Sequence, residues 1–160
     1  MATTKDNIEV VVNDGTANPR IIEMGICGDS NIESGVLLDI NSDGEIVRCP
    51  DLSTNEGARV PIGLALKDYS PGDVVNCVTG DGIIVNAQMD GIYNSNHVGV
   101  QLGMQYVGSG RGRFAYVYEP NENARTQGIL LSKTTTVKKT HIDDGSVSSG
   151  VRYYARVLMI

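Results

Sequence analysis

Residues 61–85 constrain the fold most, because short apolar runs alternate there with strong turn sequences. Ser70-Pro71-Gly72-Asp73 carries Pro and Gly where a type I or II turn places them, and Thr79-Gly80-Asp81-Gly82 supplies residues that accept positive φ. Between and beyond these turns, apolar side chains recur at every second position, which is typical of half-buried strands. The stretch therefore predicts three consecutive strands paired as a meander.

The same alternation recurs along most of the chain, at residues 8–12, 36–40, 46–49, 114–118 and 151–159. We therefore predict an all-β protein, a small β-barrel or β-sandwich. Similar spacing in residues 30–88 and 100–160 predicts that it is built from two similar β units. Residues 1–13 are expected to form an extended N-terminal arm and a first strand, and residues 14–160 a single β domain.

Charge limits the partners that we expect. The net charge of −6 argues against nucleic acid, because neutralising phosphates requires an excess of Lys and Arg. Residues 1–123 carry a net −10 and residues 124–160 a net +4. This asymmetry indicates either head-to-tail complementarity between copies or docking on an acidic surface of a partner, unless it is a chance distribution of solvated charge. No apolar run approaches the roughly 20 residues of a membrane span, so we expect no membrane partner and a protein that is made and kept in the cytoplasm or is carried out of it by something other than a signal peptide.

One segment of the sequence partly matches a metal-binding motif. Asp39, Asn41, Asp43 and Gly44 follow the spacing of a calcium-binding EF-hand loop, but Pro50 stands where the completing Glu belongs. The flanking residues have the pattern of strands, so we predict a hairpin turn, with calcium as the alternative.

Cysteines and histidines add no recognisable site. Cys27, Cys49 and Cys77 lack the spacing of a zinc motif, so we expect buried thiols in a reducing compartment, with a nucleophile or redox pair as the alternative. His97 stands in a loop region without a second His or a carboxylate pattern. We predict no enzyme activity, no catalytic residue, no metal and no cofactor.

Two segments are candidates for contact with other chains. The first is the edge strand at residues 8–12, where Ile8, Val10 and Val12 alternate with other residues. The second is the polar insertion 134–149, which we predict to be a long loop that contacts another chain rather than a disordered one. Its basic residues, with the lysine just before it, are Lys133, Lys138 and Lys139.

The order of short segments in residues 30–90 resembles the head decoration, or capsid cement, proteins of tailed bacteriophages. The segments are residues 33–39, 42–47, 61–68, 71–75 and 82–85. The resemblance implies a β-barrel or β-sandwich, often a homotrimer, that binds the major capsid protein on the outer capsid surface of the virion and stabilises the shell. It also implies an extended arm, for which residues 2–7 are the counterpart; the insertion at 134–149 departs from the pattern.

The alternative function is a β-sandwich binding module of a tail fibre or surface appendage that recognises a glycan or a receptor. In that case Tyr93, Tyr106 and Tyr118 would form a platform on which a sugar stacks. The decoration function instead predicts that these rings are covered by the core or by neighbouring subunits.

Overall fold

The computed structural model describes residues 10–12, 19–51, 61–105, 110–116, 126–143 and 146–160. These residues form twelve strands and one turn of 3-10 helix, Ser95–His97. The strands are β1 (Val11–Val12), β2 (Arg20–Ile26), β3 (Leu37–Ile40), β4 (Ile46–Arg48), β5 (Gly63–Ala65), β6 (Val74–Thr79), β7 (Ile84–Met89), β8 (Gln101–Met104), β9 (Phe114–Tyr116), β10 (Gly128–Leu130), β11 (Thr135–Asp143) and β12 (Ser146–Met159). The all-β prediction is confirmed.

Five strands close into a barrel. Around the barrel β7 pairs with β9, β9 with β8, β8 with β10, β10 with β12, and β12 again with β7. All of these pairs are antiparallel except β7 with β9, which meet at Met89 and Phe114. Closure leaves these five strands without a continuous free edge; β1 extends the sheet beside β7, and β11 extends it beside β12.

The other strands form a second sheet in the order β2-β6-β5-β3-β4. A single parallel bridge between Cys27 and Ile46 joins its two outer strands, so the sheet curls around a core of its own. Its other face packs on the barrel, because Leu37, Leu64 and Val78 belong to the barrel core. Burial on both faces explains why the sequence has continuous apolar runs here.

The predicted meander is correct for its first two strands and wrong for the third. β5 and β6 pair through Leu64 and Val78, and the turn between them has the Asp73 N–H donating to the Ser70 carbonyl at 3.0 Å. After Gly82, which has φ +76°, the chain leaves this sheet and β7 enters the barrel beside β12. The local pattern identifies a strand, but the partner depends on distant residues.

The hairpin predicted at residues 39–50 is confirmed. β3 and β4 pair from Leu38↔Arg48 to Ile40↔Ile46. The Asn41 side-chain oxygen accepts the N–H groups of Asp43 and Glu45 at 3.0 and 2.9 Å, which is the local chemistry of an Asx turn.

The prediction that residues 134–149 form a long loop is wrong. The segment forms the hairpin β11–β12, paired from Thr135↔Tyr154 to Asp143↔Ser146. Its Thr and Val residues favour strands, and β12 continues without a break from the hairpin into the barrel. Among the described strands, β2 to β6 form the second sheet, whereas β1 and β7 to β12 form the barrel sheet. The similarity of residues 30–88 to residues 100–160 stays a prediction.

We expect Gly35→Ala to lower the free energy of unfolding by about 1–3 kcal/mol, because Gly35 has φ +81° and an added Cβ would lie 2.9 Å from the Gln88 nitrogen. Gly91→Ala is the matched control, since its Cβ would meet nothing within 4 Å. Urea unfolding measures both variants. Equal stability of the two would contradict the close approach of the sheets at Gly35.

Candidate functional site: exposed strand and buried polar network

The structure gives different positions to the three residues predicted in the N-terminal edge strand. Ile8 lies outside the described residues. Val10 is 1 % exposed and belongs to the barrel core, and its carbonyl accepts the Asn86 N–H at 2.7 Å. Val12 pairs with Ile84 through β1. The expectation that Val10 contacts another chain is therefore wrong for its side chain.

The three lysines predicted to contact another chain differ in their exposure to solvent. Lys133 and Lys138 are exposed, whereas Lys139 is 2 % exposed. Successive side chains of a strand point to opposite faces, so Lys138 on β11 faces solvent and Lys139 faces the protein interior. Lys133 and Lys138 remain candidate contacts, but the contact predicted for Lys139 is wrong.

Lys139 is the centre of a buried polar network. Its Nζ donates to Asp68 Oδ1 at 2.5 Å, to Ser34 Oγ at 3.2 Å and to the Tyr154 hydroxyl at 3.3 Å. An ammonium group has three protons, so these three acceptors satisfy it. Asp68 Oδ1 also accepts the Ser34 N–H at 2.7 Å. The ion pair joins β11 of the barrel sheet to the loops that flank β3 and β5.

The network continues through Tyr154 to a second ion pair. The Tyr154 hydroxyl accepts from Gln88 Nε2 at 3.0 Å, and the same nitrogen donates to Glu33 Oε1 at 3.1 Å. Arg152 donates to both oxygens of Glu33, from Nε at 2.7 Å and from Nη2 at 3.0 Å. Residues more than 50 positions apart thus form one connected group, and sequence reasoning found none of these partners.

Burial and charge act in opposite directions on the ionisable groups. Burial alone would raise the pKa of Glu33, but the hydrogen bond and charge of Arg152, with Lys139 and Gln88, outweigh it and the pKa lies below its ordinary value. Burial alone would lower the pKa of Lys139, but its interactions with the Tyr154 hydroxyl and with the Asp68 carboxylate outweigh it and the pKa is raised. Both groups are therefore held in their charged forms at neutral pH.

We expect Lys139→Met to lower the free energy of unfolding by about 3–5 kcal/mol, because it removes the buried cation that pairs with the buried carboxylate of Asp68. Lys138→Met is the matched control, since it removes the same charge from an exposed position on the same strand. We expect the control to change stability by less than about 0.5 kcal/mol. Urea unfolding of both variants measures this, and similar losses would mean that the buried pair has no special role.

Stability is expected to fall in acid through Glu33. Its folded pKa lies below the unfolded value of 4.5, so its contribution is complete above pH 4.5 and is lost as the pH falls through the folded value. In urea unfolding between pH 6 and 3, we expect Glu33→Gln to lose less stability with acid than the unchanged protein. Glu23→Gln is the matched control, because it removes a carboxylate from an exposed position. Identical slopes for all three proteins would reject the prediction.

Strand β2 is the most exposed apolar element among the described residues. Ile21 is 58 % exposed and Ile22 is 40 % exposed, and they lie on opposite faces of the strand. Ile26 and its cross-strand neighbour Val74 are also exposed. In the described part of the chain, residues 20–26 pair with β6 alone and the bridge to Ile46 begins only at Cys27, so the other edge of β2 has no paired strand there before Cys27. Such an edge can accept a strand from another chain. The sequence analysis did not predict the exposure of this strand.

A surface cleft of about 380 Å³ lies on the barrel. It is lined by Asp90, Gly91, Ile92, Tyr93, His97 and Tyr116. The Tyr93 hydroxyl donates to Asp90 Oδ1 at 2.7 Å and accepts the Tyr116 N–H at 2.9 Å, and the ring is buried against the barrel core. Tyr93 therefore does not present an open stacking face, while Tyr106 and Tyr118 lie outside the described residues.

The three cysteines are buried, as the sequence predicted. Among the described residues, no group of three or more His, Cys, Asp or Glu is placed to hold a metal ion. The part of the chain that the structure describes contains no helix long and apolar enough to cross a membrane. Comparison of the chain with known protein families and with curated proteins finds no match.

Proposed function

We propose that this chain is a structural virion protein that binds the major capsid protein on the outside of a phage capsid shell and stabilises it. The observation that carries the proposal is the open, apolar edge of β2, because a decoration protein needs an adhesive surface more than a deep pocket. The resemblance of residues 30–90 to capsid cement proteins supplies the biological context.

The rest of the molecule suits this function mechanically. The closed barrel and the second sheet share a core. Ion pairs connect β11 and β12 of the barrel sheet to the loops beside β3 and β5. A mechanical force applied to β2 would therefore be distributed over both sheets. Exposed Lys133 and Lys138 offer positive charge to an acidic surface. In a homo-oligomer, for which we propose a trimer, weak contacts of each copy would add up through avidity.

The proposal predicts that Ile21→Thr combined with Ile22→Thr weakens binding to empty capsid shells at least about tenfold, since a central apolar contact contributes about 1.4 kcal/mol or more. Thr keeps the preference for strand structure while removing apolar surface. Co-sedimentation with shells measures binding, and circular dichroism checks the fold.

Ile92→Thr is the control, because Ile92 is 71 % exposed and lies in the cleft of the barrel rather than on β2. We expect it to bind shells normally. Unchanged binding of the β2 variant would remove β2 from the proposal, and absence of shell binding by the unchanged protein would reject the function. A monomer that binds sugars in a glycan screen would support the binding-module alternative instead.

A further inference from the structure

An excess of arginine lies where the two sheets meet. Asp29 and Glu33 precede β3, on the side of the second sheet. Four arginines surround these two carboxylates, from both sides of the junction: Arg48, Arg111, Arg113 and Arg152. Four guanidinium groups and two carboxylates leave this group of six residues with a formal charge of +2.

Three of the arginines form ion pairs with the two carboxylates. Arg48 donates to both oxygens of Asp29, from Nε at 3.1 Å and Nη2 at 3.2 Å, and Arg111 Nη2 reaches the same carboxylate at 3.3 Å. Arg152 holds Glu33 with two hydrogen bonds. These contacts, led by the hydrogen bond of Arg48, outweigh the effect of burial and lower the pKa of Asp29, so its carboxylate stays charged.

Arg113 is the remaining cation. Its Nε donates at 2.5 Å to Gln88 Oε1, which is neutral, and no carboxylate among the described residues forms an ion pair with it. Burial lowers its pKa; Glu33 opposes this effect, while the charges of Arg152 and Arg48 add to it. The Nε of Arg111 is likewise buried without a hydrogen-bond partner in the described part of the chain. A buried donor without an acceptor is costly, and more so when it is charged.

These groups line a small pocket between the sheets. Its lining residues are Asn31, Glu33, Val36, Arg48, Gln88, Arg111 and Arg113. The free space is about 10 Å³, which is close to the room that one water molecule needs. A space of this size suits a water molecule or one small ion better than a sugar or a nucleotide.

We propose that this pocket binds one small anionic atom, either a halide ion or one oxygen of a carboxylate group. The atom would accept hydrogen bonds from the guanidinium groups of Arg111 and Arg113. Water is the competing occupant, because it can donate to the buried Oδ1 of Asn31, which lacks a partner among the described residues.

The test is thermal unfolding with increasing sodium chloride or sodium formate, with ionic strength held constant by sodium methanesulfonate, whose head group is bulkier. An anion that binds only the folded chain raises the Tm along a saturating curve, by roughly 3–6 °C at ten times its dissociation constant. A response to chloride identifies a halide site, and a response to formate identifies a carboxylate site. A flat response to both salts would mean that water fills the pocket and would overturn the proposal.

Arg113→Gln should abolish the saturating rise, whereas Arg156→Gln, which removes an exposed arginine of β12, should retain it. If Arg113→Gln does not fold, nuclear magnetic resonance of the unchanged protein decides. The Nε–Hε signal of Arg113 should shift and saturate with the same salt. A static signal up to 0.2 M salt, or a rise in Tm that persists in a folded Arg113→Gln, would reject the site. None of these measurements involves a shell, so their outcome is independent of the proposed function.

Discussion

The buried ion pair between Lys139 and Asp68 is the interaction on which the assembly of the two sheets depends most directly. The Lys139 side chain is 2 % exposed and that of Asp68 is 0 % exposed, so neither charge is solvated by bulk water. Removing such charges from water costs several kcal/mol for each ion. That cost is offset only when Ser34, Asp68 and Tyr154 surround the ammonium together. The hairpin β11–β12, the loop after β5 and the turn before β3 must therefore reach their final positions as one unit.

Apolar packing makes the same connection over a larger area. Leu37 and Leu38 are neighbours in β3, yet one packs in the barrel core and the other in the core of the second sheet. A strand that is buried on both faces cannot leave one layer without exposing apolar surface of the other. The backbone adds a direct link at this point, because the Leu37 N–H donates to the carbonyl of Gly112 at 2.8 Å. The two sheets thus stabilise each other and act as a single body.

Under the proposed function, this body would separate stability from adhesion. Closure of the barrel joins β7, β9, β8, β10 and β12 in a ring of hydrogen bonds, which removes the continuous free edges through which β proteins associate. Among the described residues, the edge of β2 that has no paired strand lies in the second sheet, with Ile21 and Ile22 on the two faces of the strand. Stability therefore resides in buried strands, whereas the surface best suited to a partner is carried by an outer strand that contributes little to either core. A protein that reinforces a shell benefits from this division, because binding does not require the body to open.

The sequence alone determined the class of the fold and the local structure of several strands and turns. Alternating apolar residues identify strands such as β6 and β7, and Gly and Asn place the turn of the β3–β4 hairpin, because these preferences act within a few residues. It also predicted that the three cysteines are buried. The tertiary structure decided which strands pair and which residues become buried. Lys138 and Lys139 are identical in type and adjacent in sequence, but only one finds Asp68, 71 positions away, and enters the interior. Val10 became core and β2 remained open for the same reason: burial and pairing depend on long-range contacts, and no local pattern of residues contains them.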